Sequence, residues 1–277
     1  MTRDRKILAL LALLALVSLS CTALSRLFRA APESGTLPGA EAPATVAPES
    51  ILPVSTEVRR LELAPSPTPF HVTGPDDVRS ILDLGRPDGT DYFDVPDNWY
   101  DYDTPGYAAY RVEDSHLFGI DYNPSDRPIY WSYTNVSSGN TYAEITATNG
   151  DCVGHDAVAL VIRVDPEETP SGYSLEVACA GEFRFRSLRS KKLAADLIDW
   201  TASDVILTGK DAANRLGIWG YQGHFVVFIN GTQVGEYIDR DYDDTYGYFA
   251  AYLQAAQTFD LTATFDDFAF WHIPFIP

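Results

Sequence analysis

Basic residues are scarce in this chain. Lys and Arg total 20 against 39 Asp and Glu, a formal net charge of -19 over 277 residues. A protein that grips a nucleic-acid backbone needs concentrated positive charge, so that class of partner is excluded. The same field opposes adsorption onto anionic lipid headgroups. Cysteine is nearly absent, with three residues in all, and no C-x-x-C spacing exists, which removes the usual zinc frameworks. No glycine-rich turn leads into a helix, so α/β nucleotide-binding folds are excluded. Nor is there a G-x-S-x-G elbow or an ordered Ser-His-Asp set around the scattered His71, His116, His155, His224 and His272. What is abundant is aromatic: 16 Tyr, 14 Phe and 5 Trp. That is too much apolar surface for a disordered acidic chain, and the length suffices for one large domain or two small ones with flanking segments.

The N-terminus is organised differently from the rest. Arg3, Arg5 and Lys6 precede residues 7–19, which are apolar apart from one Ser. That run is short for a membrane span and right for the apolar region of an export signal. Ser20 and Cys21 follow, and the segment resembles a bacterial lipoprotein signal, although Ser18 and Leu19 depart from its usual order. The resemblance implies a leader over 1–21 with Cys21 as the lipidation site. Cleavage after Ala23 and an uncleaved anchor are the alternatives. All three place the remaining chain outside the cytoplasm. Cleavage before Cys21 removes three basic residues and one acidic, taking the charge from -19 to -21. Residues 22–69 hold Pro32, Pro38, Pro43, Pro48, Pro53, Pro65, Pro67 and Pro69 among Ala, Ser, Thr and Glu. Prolines this frequent preclude a helix or central strand, so the segment reads as a disordered tether. Residues 57–63 are its best candidate for packing on the domain that follows.

Beyond it the pattern becomes that of strands. In Glu182–Leu188, Phe183 and Phe185 alternate with Arg184 and Arg186, the two-residue period of a half-buried strand. Ala157–Val164 is a continuous apolar run fit for a sheet centre. Asn230-Gly231 between two apolar runs is a hairpin signal, because both residues accept positive φ. Counting on gives strands near 107–112, 116–121, 129–134, 142–148, 157–164, 173–179, 182–188, 214–219, 224–229, 233–238, 246–252 and 259–271. Residues 191–198 are the one helical candidate. So many short strands separated by regular turns predict an all-β, antiparallel sandwich over 70–277.

The residues NRLGIWGYQGHFVVFINGTQVGEY (214–237), YGYFAAY (246–252) and TATFDDFAFW (262–271) resemble the C-terminal half of concanavalin A-like jelly rolls. Trp99, Tyr100 and the Asp199-Trp200-Thr201 segment fit the same pattern. The group includes laminin-G-like modules, lectins, glucanases and the 3-keto-disaccharide hydrolase relatives. The resemblance therefore implies a jelly roll and leaves the activity open.

Cys152 and Cys179 are the remaining cysteines. In an exported chain they are expected to pair, as Cys152 lies before one strand and Cys179 ends the strand that should return to it. The E-x-D-x-x-E string of retaining glucanases is missing. Asp239, Asp241 and Asp243 sit with Asp244 in the acidic string 239–244. This reads as a solvated loop or a calcium site, although no EF-hand register fits. The tyrosine- and tryptophan-rich stretches read mostly as core. Tyr102, Tyr130, Trp131, Trp219 and Tyr221 are the candidates for exposed rings that bury the apolar faces of sugars. Arg184 and Arg186, with Arg189, Lys191 and Lys192, read as a solvated basic face. Three functions remain open. The first is a membrane-tethered, non-catalytic module that binds carbohydrate or another surface polymer. The second is a hydrolase of glycosides or 3-keto-disaccharides, and the third a structural or protein-interaction module of the cell envelope.

Overall fold

The computed structural model describes residues 74–124, 129–167, 171–188, 194–241 and 245–274. The expected leader over 1–21 with Cys21, the stretch 22–69, His71, Arg189, Lys191, Lys192, Asp243 and Asp244 lie outside the described residues. Fifteen strands run in order: β1 (Gly89–Asp91), β2 (Tyr102–Thr104), β3 (Ala108–Glu113), β4 (His116–Asp121), β5 (Trp131–Ser138), β6 (Thr141–Asn149), β7 (Ala157–Val164), β8 (Gly172–Ala178), β9 (Glu182–Leu188), β10 (Ala195–Ala202), β11 (Ala213–Tyr221), β12 (His224–Ile229), β13 (Thr232–Ile238), β14 (Gly247–Gln254) and β15 (Leu261–His272). Among the described residues one α-helical turn, α1 (Val78–Ile81), precedes them.

The strands make two antiparallel sheets. A nine-stranded sheet runs β13-β12-β11-β6-β15-β4-β3-β2, with β1 paired to β15, and a six-stranded sheet runs β10-β9-β8-β7-β14-β5. The alternation that marks each strand sends one set of side chains between the sheets. Leu160, Leu175 and Phe185 from one sheet meet Ile145, Ile218, Phe225 and Phe265 from the other, and all are fully buried. β7 is buried along its whole length because strands flank it on both sides. Asn230 and Gly231 turn β12 into β13 with φ of 51° and 83°. Both angles are positive, as the hairpin signal requires. The twelve expected strands are all present within a few residues.

Several expectations need correction. Residues 195–198 of the helical candidate form the start of β10, an edge strand that pairs with β9 through register shifts. Good helix formers there are overruled by the neighbouring strand, which satisfies their backbone groups. The short strands β1 and β2 carry too few residues to show a period. Trp131, expected at the surface, is buried to 7% exposure beside Tyr252, its partner across β14. Arg184 and Arg186 do point outward from the sandwich but are not a solvated face. Their side chains are only 17% and 14% exposed, because both pair with Glu176.

Cys152 and Cys179 form the expected disulfide, with Cα atoms 6.1 Å apart and a separation of 27 residues. Closing that loop in the unfolded chain contributes on the order of 3 kcal/mol by the entropy argument. Beside it Asp156, almost fully buried, accepts from the backbone N–H of Val153, Ala256, Gln257 and Thr258. One carboxylate thus fastens the approach to β7 to the β14–β15 connection.

Candidate functional site

The outward face of the nine-stranded sheet carries an ordered array of side chains, set by register. One row across it reads Val226 (β12), Trp219 (β11), Tyr142 (β6) and Trp271 (β15). The next reads Phe228, Gly217, Glu144 and Ala269. Gly217 is required at its place: a Cβ there would stand 2.5 Å from the Tyr142 hydroxyl. That close approach lets Tyr142 lie over the neighbouring strand and donate to Glu144 at 2.7 Å. Burial, reinforced by the adjacent Glu144 charge, pushes the Tyr142 hydroxyl well above its ordinary pKa, so it remains a donor.

Part of this face is covered by the chain's own segment 74–88. The Asp77 side chain caps α1 by accepting from the Arg79 N–H at 3.0 Å, and the Val78 N–H donates to the Gly231 carbonyl at 2.9 Å. Val78 packs with Tyr142, Phe228 and Trp271 in a small second core. Arg79 pairs with the fully buried Glu144 and lies 5.3 Å from the Trp271 ring centre. Arg215 pairs with Asp77 and lies 3.9 Å from Glu144. Burial works against the Arg215 charge, but Glu144 and Asp77 outweigh it and hold the guanidinium charged. Trp271 completes the arrangement by donating its indole N–H to the Gly85 carbonyl at 3.2 Å.

An aromatic pair lies on one side of this covered centre and a cleft on the other. On the β11–β12 side, Trp219 and Tyr221 are half-buried and stack with ring centres 6.0 Å apart. His224 meets Trp219 edge-on at 5.2 Å and contacts Glu236 at 2.6 Å. On the β15–β1 side a cleft of about 590 Å³ is lined by Arg79, Arg86, Asp88, Tyr92 and Trp271 among others. Its size falls in the range of small-ligand sites. Aromatic rings, guanidinium donors and carboxylate acceptors there can hold a polyhydroxylated ring by its apolar face and its hydroxyls.

Where β15 bulges, Asp266 and Asp267 stand side by side, Asp267 with φ of 52°. Burial raises both carboxyls above the ordinary range. Asp266 adds to the effect on Asp267, while His116, 3.8 Å away, partly offsets it on Asp266.

The sequence candidates do not gather in one place. Trp219 and Tyr221 belong to this face. Tyr102 and Tyr130 lie at the opposite end of the sheet order, where β2 and β3 approach β5. There Tyr102 neighbours Tyr100 at 5.4 Å and Tyr130 neighbours Tyr107 at 5.8 Å. Of the acidic string, Asp239 is buried and accepts from the Tyr173 hydroxyl at 2.9 Å and the Asp241 N–H at 2.9 Å. Among the described residues no group of three or more His, Cys, Asp or Glu side chains is placed to hold a metal ion. Sequence reasoning missed Glu144, Arg79, Arg215 and Trp271. The one signal for Glu144 was its isolation as a charged residue in an otherwise uncharged strand.

No protein family and no curated protein matches the sequence. Among solved structures, a protein of unknown function with a galectin-like fold from Bacillus subtilis matches with a TM-score of 0.50 at 14% identity, over 68% of this chain and 97% of that one. The domain has the fold of an antiparallel, galectin-like β-sandwich. The sandwich also matches the carbohydrate binding module CBM66 from Bacillus subtilis, with a TM-score of 0.49 at 15% identity over 64% of this chain and 96% of the other. Among the described residues of the sandwich no helix is long and apolar enough to cross a membrane.

Proposed function

We propose that this chain is an extracytoplasmic glycan-binding module, with residues 70–277 held away from a membrane by the tether 22–69 and a lipid on Cys21. The observation that carries the binding reading is the outward face of the nine-stranded sheet. There the Trp219–Tyr221 pair and the Trp271-lined cleft of about 590 Å³ flank a buried, ion-paired centre. Rings fixed by packing present their faces without further loss of rotamer freedom, which favours weak, repeated contacts with a polymer. The leader-like start and the proline-rich stretch support export and tethering. Affinity electrophoresis through gels holding soluble polysaccharides tests the binding. At least one polymer is expected to retard the protein, with Trp219→Ala and Arg86→Ala each weakening retardation about tenfold. Uniform failure to retard overturns the reading. Mass analysis of the mature N-terminus tests lipidation at Cys21, and an unmodified terminus overturns it.

A second reading, hydrolysis of a glycosidic bond, draws on the neighbouring Asp266 and Asp267. Burial holds both above the ordinary carboxyl range, a condition that suits a general acid. Release of reducing ends that disappears in both Asp266→Asn and Asp267→Asn would favour this reading; retardation without turnover leaves the binding module.

A further inference from the structure

We propose that the sandwich carries a second, separate binding surface at the β2–β5 rim, and that it takes glycans bearing free amines, such as a glucosamine oligomer. The rim is built from tyrosines. Tyr100 stacks on Tyr133 with ring centres 5.1 Å apart, and Tyr133 meets Tyr248 at 6.4 Å. Tyr102 joins Tyr100 to the buried Tyr110, and Tyr107 packs on Tyr130. The ladder is held from beneath. The Tyr100 N–H donates to the Tyr133 carbonyl at 2.9 Å, the Ser132 hydroxyl donates to the Tyr100 carbonyl at 2.9 Å, and the Tyr110 hydroxyl donates to the Tyr130 carbonyl at 2.9 Å. Yet Tyr100 is 51% and Tyr107 55% exposed. Large rings fixed at this exposure, with their neighbours' rings beside them, form a continuous aromatic surface rather than scattered exposed residues.

Carboxylates outnumber cations around that surface among the described residues, and the cation on β3, Arg111, is itself paired with Glu113 at 2.6 Å. Asp101 and Asp103 alternate with Tyr100 and Tyr102 along the chain, and Asp97 lies in the turn just before them. Asp97, Asp101 and Asp103 are exposed. The nine-stranded face is different, since its cleft presents the exposed Arg86. Ring faces attract cations, and carboxylates beside them strengthen that attraction while repelling anionic sugars. Tyrosine faces also bury the apolar side of a pyranose, and the phenol and carboxylate oxygens accept from its hydroxyls. A sugar that carries an ammonium satisfies both features at once. A neutral glycan uses only the rings.

The test uses the mature chain and three hexamers of one length: glucosamine, N-acetylglucosamine and glucose (β1,4-linked), titrated calorimetrically at low and high salt. The glucosamine hexamer is expected to bind at least about tenfold more tightly than the other two, with the preference shrinking as salt rises. Tyr100→Ala with Tyr107→Ala should abolish this binding, Asp101→Asn with Asp103→Asn should remove its salt dependence, and Trp219→Ala should leave it in place. Unchanged circular dichroism of the paired variants shows that the fold is intact. Equal affinity for all three hexamers, absence of binding, or binding that survives the loss of Tyr100 and Tyr107 overturns the proposal. Because Trp219 reports on the other face, failure here and failure of the nine-stranded site are read separately.

Discussion

Glu144 on β6 and Glu176 on β8 lie fully buried on opposite outward faces of the sandwich, each between two arginines and one tyrosine hydroxyl. The chemistry is the same and the consequence is not. Every partner of Glu176 comes from its own sheet. Arg184 and Arg186 on β9 reach it at 2.6 and 3.0 Å, and Tyr252 on β14 reaches it at 2.6 Å across the small Ala159 on β7. That cluster ties four strands together. Glu144 takes Tyr142 from its own strand and Arg215 from the next, but Arg79 comes from α1. It therefore pins a segment that has no ladder of its own. Buried ion pairs are costly to desolvate whichever face they occupy, and topology decides whether losing one loosens the whole sheet or only a covering segment.

Four experiments sharpen or break this contrast. The largest effect is expected from Glu176→Ala, which strands two mostly buried guanidiniums. A loss of about 4 kcal/mol in denaturant unfolding is expected, with the transition still cooperative. A loss near zero would show that the six-stranded sheet does not depend on the cluster. Next is the double variant Cys152→Ser, Cys179→Ser. The bridge joins the approach to β7 to the end of β8, in the same sheet as Glu176, so about 3 kcal/mol of global stability should vanish. Smaller is Arg79→Ala. Amide exchange should accelerate over residues 77–84 with little change in the strands, and global stability should fall by about 1–2 kcal/mol. If exchange rises equally in β6 and β11, the pinned-segment account is wrong.

The smallest effect is a pH dependence of opposite sign in two places. Burial raises Asp266 and Asp267, so the folded state holds their protons more firmly than the unfolded one. Stability they contribute at low pH is lost as pH rises from the ordinary carboxyl range through their raised values. For Asp156 burial alone would raise the carboxyl, but the Thr258 hydroxyl and the surrounding N–H donors prevail and lower it. Its stabilisation is present above the unfolded carboxyl value and lost as pH falls through the folded one. Melting temperatures recorded from pH 3 to 7 for Asp267→Asn and Asp156→Asn should lie nearest the parent at the acid end and part from it as pH rises, Asp267→Asn above the parent and Asp156→Asn below it.

Much of the sandwich could be read in advance because burial on one face imposes a two-residue period, and β4, β9, β12 and β15 show it plainly. The Asn230-Gly231 turn was readable because its backbone angles admit few residue types. What stayed hidden depends on register. Glu176 and Arg184 are eight residues apart, and only their cross-strand pairing makes them partners. Trp131 and Tyr133 have the same parity on β5, yet Trp131 is buried and Tyr133 only half-buried, which no periodicity foretells. The candidate site was half visible for the same reason. Trp219 and Tyr221 announce themselves by type and spacing, whereas Arg79 belongs to a four-residue helical turn too short to carry a pattern.

The clamp at α1 also has a mechanical meaning. A tug on the chain ahead of Gly74 arrives first at the ion pairs Asp77–Arg215 and Arg79–Glu144 and at the Val78–Gly231 hydrogen bond. These contacts would carry the load before it reached the pairing of β1 with β15, so the grip on Asp77 and Glu144 would decide how readily 74–88 peels from the sheet.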